Sequence, residues 1–152
     1  MNESRKLRYL DVSETDFDGL VALRLTAMRD SLEKIGRFDR ERSVERFRLS
    51  FVPEDTKKMI CDHELVGFYA VANKVDHLYL SHLYVKPGYQ RLGLGSRVMK
   101  KLIDQSDRRG LPIRLVALKE SEVNDFYRRH GFVVTGEDEW DVSYERAFRG
   151  GV

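Results

Sequence analysis

Apolar positions along the chain recur at two periods, and the changes between them mark out the elements. Residues 7–10 predict a short strand. Ser13-x-x-Asp16 has the form of a helix start, and Phe17, Val21, Leu25, Met28 and Leu32 then fall on one stripe at helical spacing. Gly36 ends that helix. Asp39 caps a second one with Val44, Phe47 and Phe51 as its buried face, and Pro53 stops it. Residues 57–62 and 65–72 are rich in strand formers, separated by a turn at Asp62-His63-Glu64. Asn73-Lys74 turns the chain into a further strand over residues 77–85. Gly95, Val98, Met99, Leu102 and Ile103 line one face of a later helix that Gly110 and Pro112 close. Residues 113–118 predict a buried strand in which Arg114 is the awkward member. Ser121 caps a short helix carrying Val123, Phe126, Tyr127 and His130, ended by Gly131, and residues 132–135 and 142–148 close the chain as a strand pair. The order is β-α-α-β-β-β-α-β-α-β-β: a mixed α/β domain around a largely antiparallel sheet.

The strand over residues 77–85 breaks its own alternation. Leu78 and Leu80 have one parity, Leu83 and Val85 the other, so the apolar face changes side across Ser81-His82. One extra residue there, a β-bulge, restores a single buried face; bulges re-aim side chains next to active sites. The competing reading is a strand buried on both faces.

Composition adds limits. The chain has 152 residues, 41% hydrophobic and 34% charged, which fits one soluble domain over residues 1–152. A formal net charge of +2 does not argue for a nucleic-acid partner. The single cysteine, Cys61, sits in an apolar run and reads as a buried thiol; with no intrachain disulfide to form, a reducing compartment, the cytoplasm, is expected. No apolar run reaches bilayer length and no signal peptide opens the chain, so no membrane partner is expected. Whether the chain is a monomer or a homodimer stays open.

The strongest chemical signal follows the irregular strand: Lys86-Pro87-Gly88-Tyr89-Gln90-Arg91-Leu92-Gly93-Leu94-Gly95-Ser96, a glycine-bearing loop that opens a helix. The first N–H groups of a helix lack intrahelical acceptors, glycines admit a ligand close to the backbone, and the helix dipole adds partial positive charge there. The loop therefore suits a phosphate-bearing ligand. It is not a Rossmann fingerprint, since Val98 stands where the third glycine belongs, nor a P-loop, since no lysine separates Gly95 from Ser96. The four histidines, His63, His77, His82 and His130, are scattered without metal-ligand spacing, so no metal site is expected.

This loop, with the Leu83-Tyr84-Val85 strand end before it, resembles the pyrophosphate loop of the GNAT superfamily of acetyl-CoA-dependent N-acetyltransferases. Asn124-Asp125-Phe126-Tyr127-Arg128-Arg129-His130-Gly131-Phe132 resembles that family's later Phe-Tyr-x-x-x-Gly-Phe helix, and the strand Leu65-Val66-Gly67-Phe68-Tyr69 also fits. The likeness covers most of residues 57–135; the N-terminal helices agree in order only. It implies a GNAT-like fold, a largely antiparallel central sheet flanked by helices and splayed between the fourth and fifth strands. It also implies an acyltransferase that passes acetyl from acetyl-CoA, as cosubstrate, to an amine by direct attack in a ternary complex. The backbone N–H groups of Arg91, Leu92, Gly93, Leu94, Gly95 and Ser96 would hold the pyrophosphate, with Gln90 beside them. Leu83, Tyr84 and Val85 would pair with the pantetheine arm, an N–H near Leu83 would steady the oxyanion, and Tyr127 would protonate the departing thiolate. Residues 29–51 would form the acceptor wall.

The chain also departs from the pattern. Glu120 stands seven residues before Tyr127, where many members carry asparagine; Asn124 lies on the motif helix outside that slot and is kept as a candidate for the donor site. Glu120 is read as a charge on a helix N-terminus, or as a cation or water ligand. Some members place an acid at Ser81 or its neighbour. Here the candidate base is His82, whose reference pKa suits neutral pH, and the competing reading is a packed or hydrogen-bonded strand residue. Lys86, Arg91 and Arg97 are candidates for the CoA phosphates or are solvated charges. Trp140, within residues 137–141, is a hairpin tip or an acceptor wall. A CoA-binding module that senses without catalysing is the alternative the residues leave open.

Overall fold

The computed structural model describes residues 6–150. Seven strands form one sheet in the order β1-β2-β3-β4-β5-β7-β6. They are β1 (Leu7–Asp11), β2 (Thr56–Cys61), β3 (Glu64–Asn73), β4 (Leu78–Val85), β5 (Ile113–Leu118), β6 (Val133–Glu137) and β7 (Asp141–Arg146). Every neighbouring pair is antiparallel except β4 and β5, which run parallel. This is the mixed, largely antiparallel sheet that the residue pattern predicts. Helices α1 (Phe17–Lys34) and α2 (Arg40–Ser50) cover one face of it. Helices α3 (Leu94–Arg109) and α4 (Val123–Arg129) cover the other.

Local signals account for most boundaries. Asp16 accepts a hydrogen bond from the Ser13 N–H at 3.0 Å, but the chain first makes a 3₁₀ turn, Glu14–Asp16, and α1 begins at Phe17. Asp39 caps α2 by accepting from the Arg42 N–H at 3.1 Å. The β2–β3 turn places Asp62 and His63 at φ of 50° and 71°, the left-handed conformation that a tight hairpin requires. Arg114 is no intrusion into the core. It points out of β5 and pairs at 2.8 Å with Glu145, its partner across β7. Most strand ends differ from expectation by one or two residues, and β7 ends at Arg146, leaving Phe148 outside it and 43% exposed. Cys61 is buried.

Helix α1 buries more than one stripe. Leu20 and Leu23 join Phe17, Val21 and Leu25 against Phe47 and Phe68, while Met28 and Leu32 stay half-buried. Phe47, fully enclosed, touches the rings of Phe17, Phe51 and Phe68 at 5.3 to 5.6 Å. Burial of each such ring contributes roughly 2 kcal/mol, enough to pin α1 and α2 to the sheet.

Two irregularities set up the site. Ala70 pairs with His82 while Val71 pairs with Leu80, so Ser81 is the extra residue of a bulge. The bulge returns Leu83 and Val85 to the face of Leu78 and Leu80, against α3, and turns His82 and Tyr84 toward α1 and α2. The parity change in the sequence has this cause. Second, β4 and β5 pair only through Leu78–Ile113 and Tyr79–Arg114, and beyond those residues the strands splay apart.

Candidate active site

The splay opens a cleft through the sheet. Leu83, Tyr84 and Val85 line it from β4, Val116, Ala117 and Leu118 from β5, Tyr127 from α4, Gln90 from the glycine loop, and Ala27, Met28 and Ser31 from α1.

Backbone alternation determines which groups face the opening. The Lys86 N–H donates to the Val66 carbonyl at 2.7 Å. Antiparallel strands alternate bonded and non-bonded residues, so the even positions Lys86, Tyr84 and His82 bond toward β3. The N–H and C=O groups of Leu83 and Val85 therefore point into the splay. The Gln90 side chain already donates to the Val85 carbonyl there, at 3.1 Å. An extended ligand arm finds a strand edge ready to pair with it.

The edge leads into the glycine loop. After a 3₁₀ turn, Gln90–Leu92, Gly93 adopts φ 75° and α3 begins at Leu94. The first α3 bond runs from the Arg97 N–H to the Gly93 carbonyl at 3.0 Å. The N–H groups of Leu94, Gly95 and Ser96 thus lie in the first turn without intrahelical acceptors. Gly95 has a second reason to lack a side chain: a Cβ there would stand 3.3 Å from the Phe126 ring, so the glycine lets α4 pack on the loop. Ser96 reaches His130 just past α4, its Oγ 3.2 Å from Nε2. Lys86 is tied to Glu64, which also accepts from the Tyr89 hydroxyl at 2.7 Å. Arg91 and Arg97 are exposed and make no ion pair among the described residues.

Tyr127 is 7% exposed, its ring against Phe126, Phe132 and Tyr144. Burial, then the nearby Tyr84 and Tyr144 phenols, push its pKa well above the ordinary value, so it is protonated at every physiological pH. His82 also lines the cleft but is enclosed by Phe47, Phe68 and Tyr84. Burial, with help from the Arg24 guanidinium, lowers its pKa to about 4, far from the neutral range expected from its reference value. Its Nε2 lies 3.1 Å from the Ser50 Oγ, and its buried Nδ1 has no hydrogen-bond partner. The Ser50 hydroxyl also reaches the Arg46 carbonyl at 3.2 Å. Given to that carbonyl, its proton leaves Oγ to accept from Nε2–H, and Nδ1 is then a bare lone pair.

Asn124 does not line the cleft. Its amide donates to the carbonyls of Leu118, Lys119 and Ser121 at 2.7 to 3.1 Å and its oxygen accepts from the Tyr144 hydroxyl at 2.7 Å. It ties the β5–α4 loop to β7. Glu120 and Asn124 share a separate outer groove. Trp140 is at the β6–β7 hairpin tip and also meets the α1–α2 turn, with the Arg37 guanidinium 4.4 Å over its ring. Arg24 belongs to no motif, yet it donates to the Tyr84 hydroxyl at 3.3 Å and to the Ser43 carbonyl at 3.2 Å. Of residues 29–51 only Ser31 lines the cleft, together with Ala27 and Met28 just before them; Ala27 and Ser31 stand one helical turn apart on α1.

A model of the GNAT acetyltransferase domain matches residues 29–142. Solved structures with this fold include the PaiA N-acetyltransferase of Thermoplasma acidophilum in complex with coenzyme A, 18% identical, TM-score 0.74, covering 94% of this chain and 99% of that one. The ribosomal-protein-S18-alanine N-acetyltransferase of Escherichia coli is 17% identical at a TM-score of 0.71, with coverages of 96% and 97%. An acetyltransferase of Thermus thermophilus is 18% identical, also at 0.71, with coverages of 94% and 97%. No curated protein matches the sequence.

Proposed function

The chain belongs to the GNAT acetyltransferase family and is an acetyl-CoA-dependent N-acetyltransferase, and we propose that it passes the acetyl group directly to an amine bound in the same cleft. The observation that carries this reading is the splay itself, where an unpaired strand edge, the open first turn of α3 and the Tyr127 phenol meet along one path.

In this reading the Leu83 and Val85 backbone groups pair with the pantetheine arm, and open N–H groups between Arg91 and Ser96 receive the pyrophosphate, with Arg91 and Arg97 adding charge; the Leu92 N–H donates instead to the Tyr89 carbonyl at 3.3 Å. The Leu83 N–H steadies negative charge on the carbonyl oxygen as the amine attacks. Tyr127 then donates its proton to the departing thiolate. Its raised pKa is no obstacle, because the cleft that disfavours a phenolate disfavours a thiolate too, and only the difference between them counts. Tyr84 lines the path from β4. Asn124 serves the site by fixing the loop before α4.

His82 takes a narrower part than a strong base. With a pKa of about 4 it cannot strip an ammonium ion. The amine therefore enters neutral, a form that makes up about one part in 2,500 at pH 7 for a lysine-like amine. His82 lines the cleft beside the amine with its Nδ1 buried, so the amine's proton leaves to water as the nitrogen becomes acidic on bonding to carbon, and the neutral ring orders that end of the cleft. Among the described residues no helix is long and apolar enough to cross a membrane; the cytoplasm, where a lone buried thiol stays reduced, is the proposed location.

Calorimetry with acetyl-CoA, followed by amine-dependent thiol release, tests this. Micromolar binding and release that needs an amine are expected. Binding without release across a broad amine panel would instead support a sensor.

A further inference from the structure

The two sides of the cleft differ in what they offer. The α3 and α4 side carries the donor path described above. On the α1 and α2 side the walls are Ala27, Met28 and Ser31 from α1, His82 and Tyr84 from β4, and Val116 and Leu118 from β5. None of the residues lining the cleft, on either side, is Asp, Glu, Lys or Arg. Of the nearby acids, Glu120 is in the outer groove, and the charge of Asp141, which pairs with Leu118 across β5 and β7, is offset by the Arg37 and Arg46 guanidiniums. A positive charge stands behind the acceptor side. Arg24 lies over the Phe47 and Tyr84 rings at 6.0 and 5.8 Å and has no carboxylate partner among the described residues.

A chamber walled mostly by methyl, methylene, thioether and aromatic groups, with the Ser31 hydroxyl and the neutral His82 ring as polar groups, a guanidinium behind it and no carboxylate in it, strips water from a polycation and returns no opposite charge. The same walls gain from an apolar body, and the flexible Met28 side chain adapts to its shape. Resting on the acetyltransferase reading, we infer that the acceptor is a primary monoamine carried on an apolar body, and that polyamines and aminosugar polycations are excluded. Such an amine is presented equally by a small arylalkylamine and by a peptide whose first residue has a large apolar side chain.

The test is thiol release from acetyl-CoA at pH 8 with 2-phenylethylamine, a short peptide beginning with leucine, spermidine and kanamycin. At least one of the first two is expected to exceed both polycations in kcat/KM by about 100-fold, the scale of one uncompensated charge buried in an apolar site. Which of the two leads identifies the source. Val116, 47% exposed, accepts an acid without disturbing the core. Val116→Asp is expected to raise kcat/KM for spermidine and lower it for 2-phenylethylamine, closing the gap by about fivefold or more. Spermidine or kanamycin used as well as the apolar amines would overturn the inference. So would failure to acetylate either apolar amine in protein that binds acetyl-CoA. Failure to bind acetyl-CoA at all would overturn the acetyltransferase reading instead.

Discussion

His82 makes the enclosure of the acceptor side measurable as a stability difference. The ring is 7% exposed among Phe47, Phe68 and Tyr84, and its folded pKa is about 4 against 6.5 for the free side chain. A histidine depressed in this way leaves full stability above pH 6.5. As pH falls from there toward 4, the unfolded chain binds a proton that the folded one refuses, and stability is lost; below 4 the loss stops growing. The full difference is about 3 kcal/mol, and about 2 kcal/mol of it has been lost by pH 5. Urea unfolding followed by the fluorescence of Trp140, the single tryptophan, at pH 8 and pH 5 reads it out. Other groups titrate in this range too: Asp16 is held low by Lys58, and His130 is lowered by burial. They are common to wild type and to His82→Gln, which keeps a donor for Ser50 but cannot titrate. Wild type should therefore lose about 2 kcal/mol more than His82→Gln between the two pH values. Equal losses would mean that His82 charges freely in the folded protein, and would refute its enclosure.

Three further outcomes follow from single contacts. Gly67→Ala places a Cβ 2.6 Å from the Tyr84 carbonyl and 2.4 Å from the Met59 Cε, so it should lower stability by about 2 kcal/mol in urea unfolding and weaken acetyl-CoA binding by shifting β4. Asn124→Ala leaves the Tyr144 hydroxyl without its acceptor and takes the side-chain donor from the Leu118, Lys119 and Ser121 carbonyls, of which Leu118 and Ser121 keep backbone donors; a loss of about 2 kcal/mol, with kcat reduced more than acetyl-CoA affinity, is expected. Because no strong base lines the cleft, kcat/KM for an aliphatic amine should climb about tenfold per pH unit from 7 to 9, and a plateau near pH 7 would reveal a base stronger than His82.

What the sequence disclosed was what local chemistry dictates. The glycine loop, the Asp39 cap and the hairpin at Asp62-His63 need only neighbours along the chain. The bulge at Ser81 was visible because alternation is strict in a regular strand, so one inserted residue reverses the parity of everything after it. The features that stayed hidden depend on distant partners. The reference pKa of His82 gave no hint of about 4, because Phe47, Phe68 and Arg24 come to it from three other elements. Asn124 has the look of a ligand-binding amide in the sequence, but the carbonyls of the β5–α4 loop claim its donors. Trp140 stood between two readings in the sequence. It sits at a hairpin tip, and Arg37, far away in sequence, makes it a bridge to the α1–α2 turn.

The central claim, that the donor lies in the β4–β5 splay with its sulfur served by Tyr127, is tested most directly by Tyr127→Phe. The variant removes one oxygen from a ring whose packing against Phe126, Phe132 and Tyr144 is retained. With an amine for which chemistry limits turnover, kcat should fall by about 100-fold or more while the calorimetric Kd for acetyl-CoA stays within about twofold of wild type. An unchanged kcat in a variant that still binds acetyl-CoA would contradict the claim.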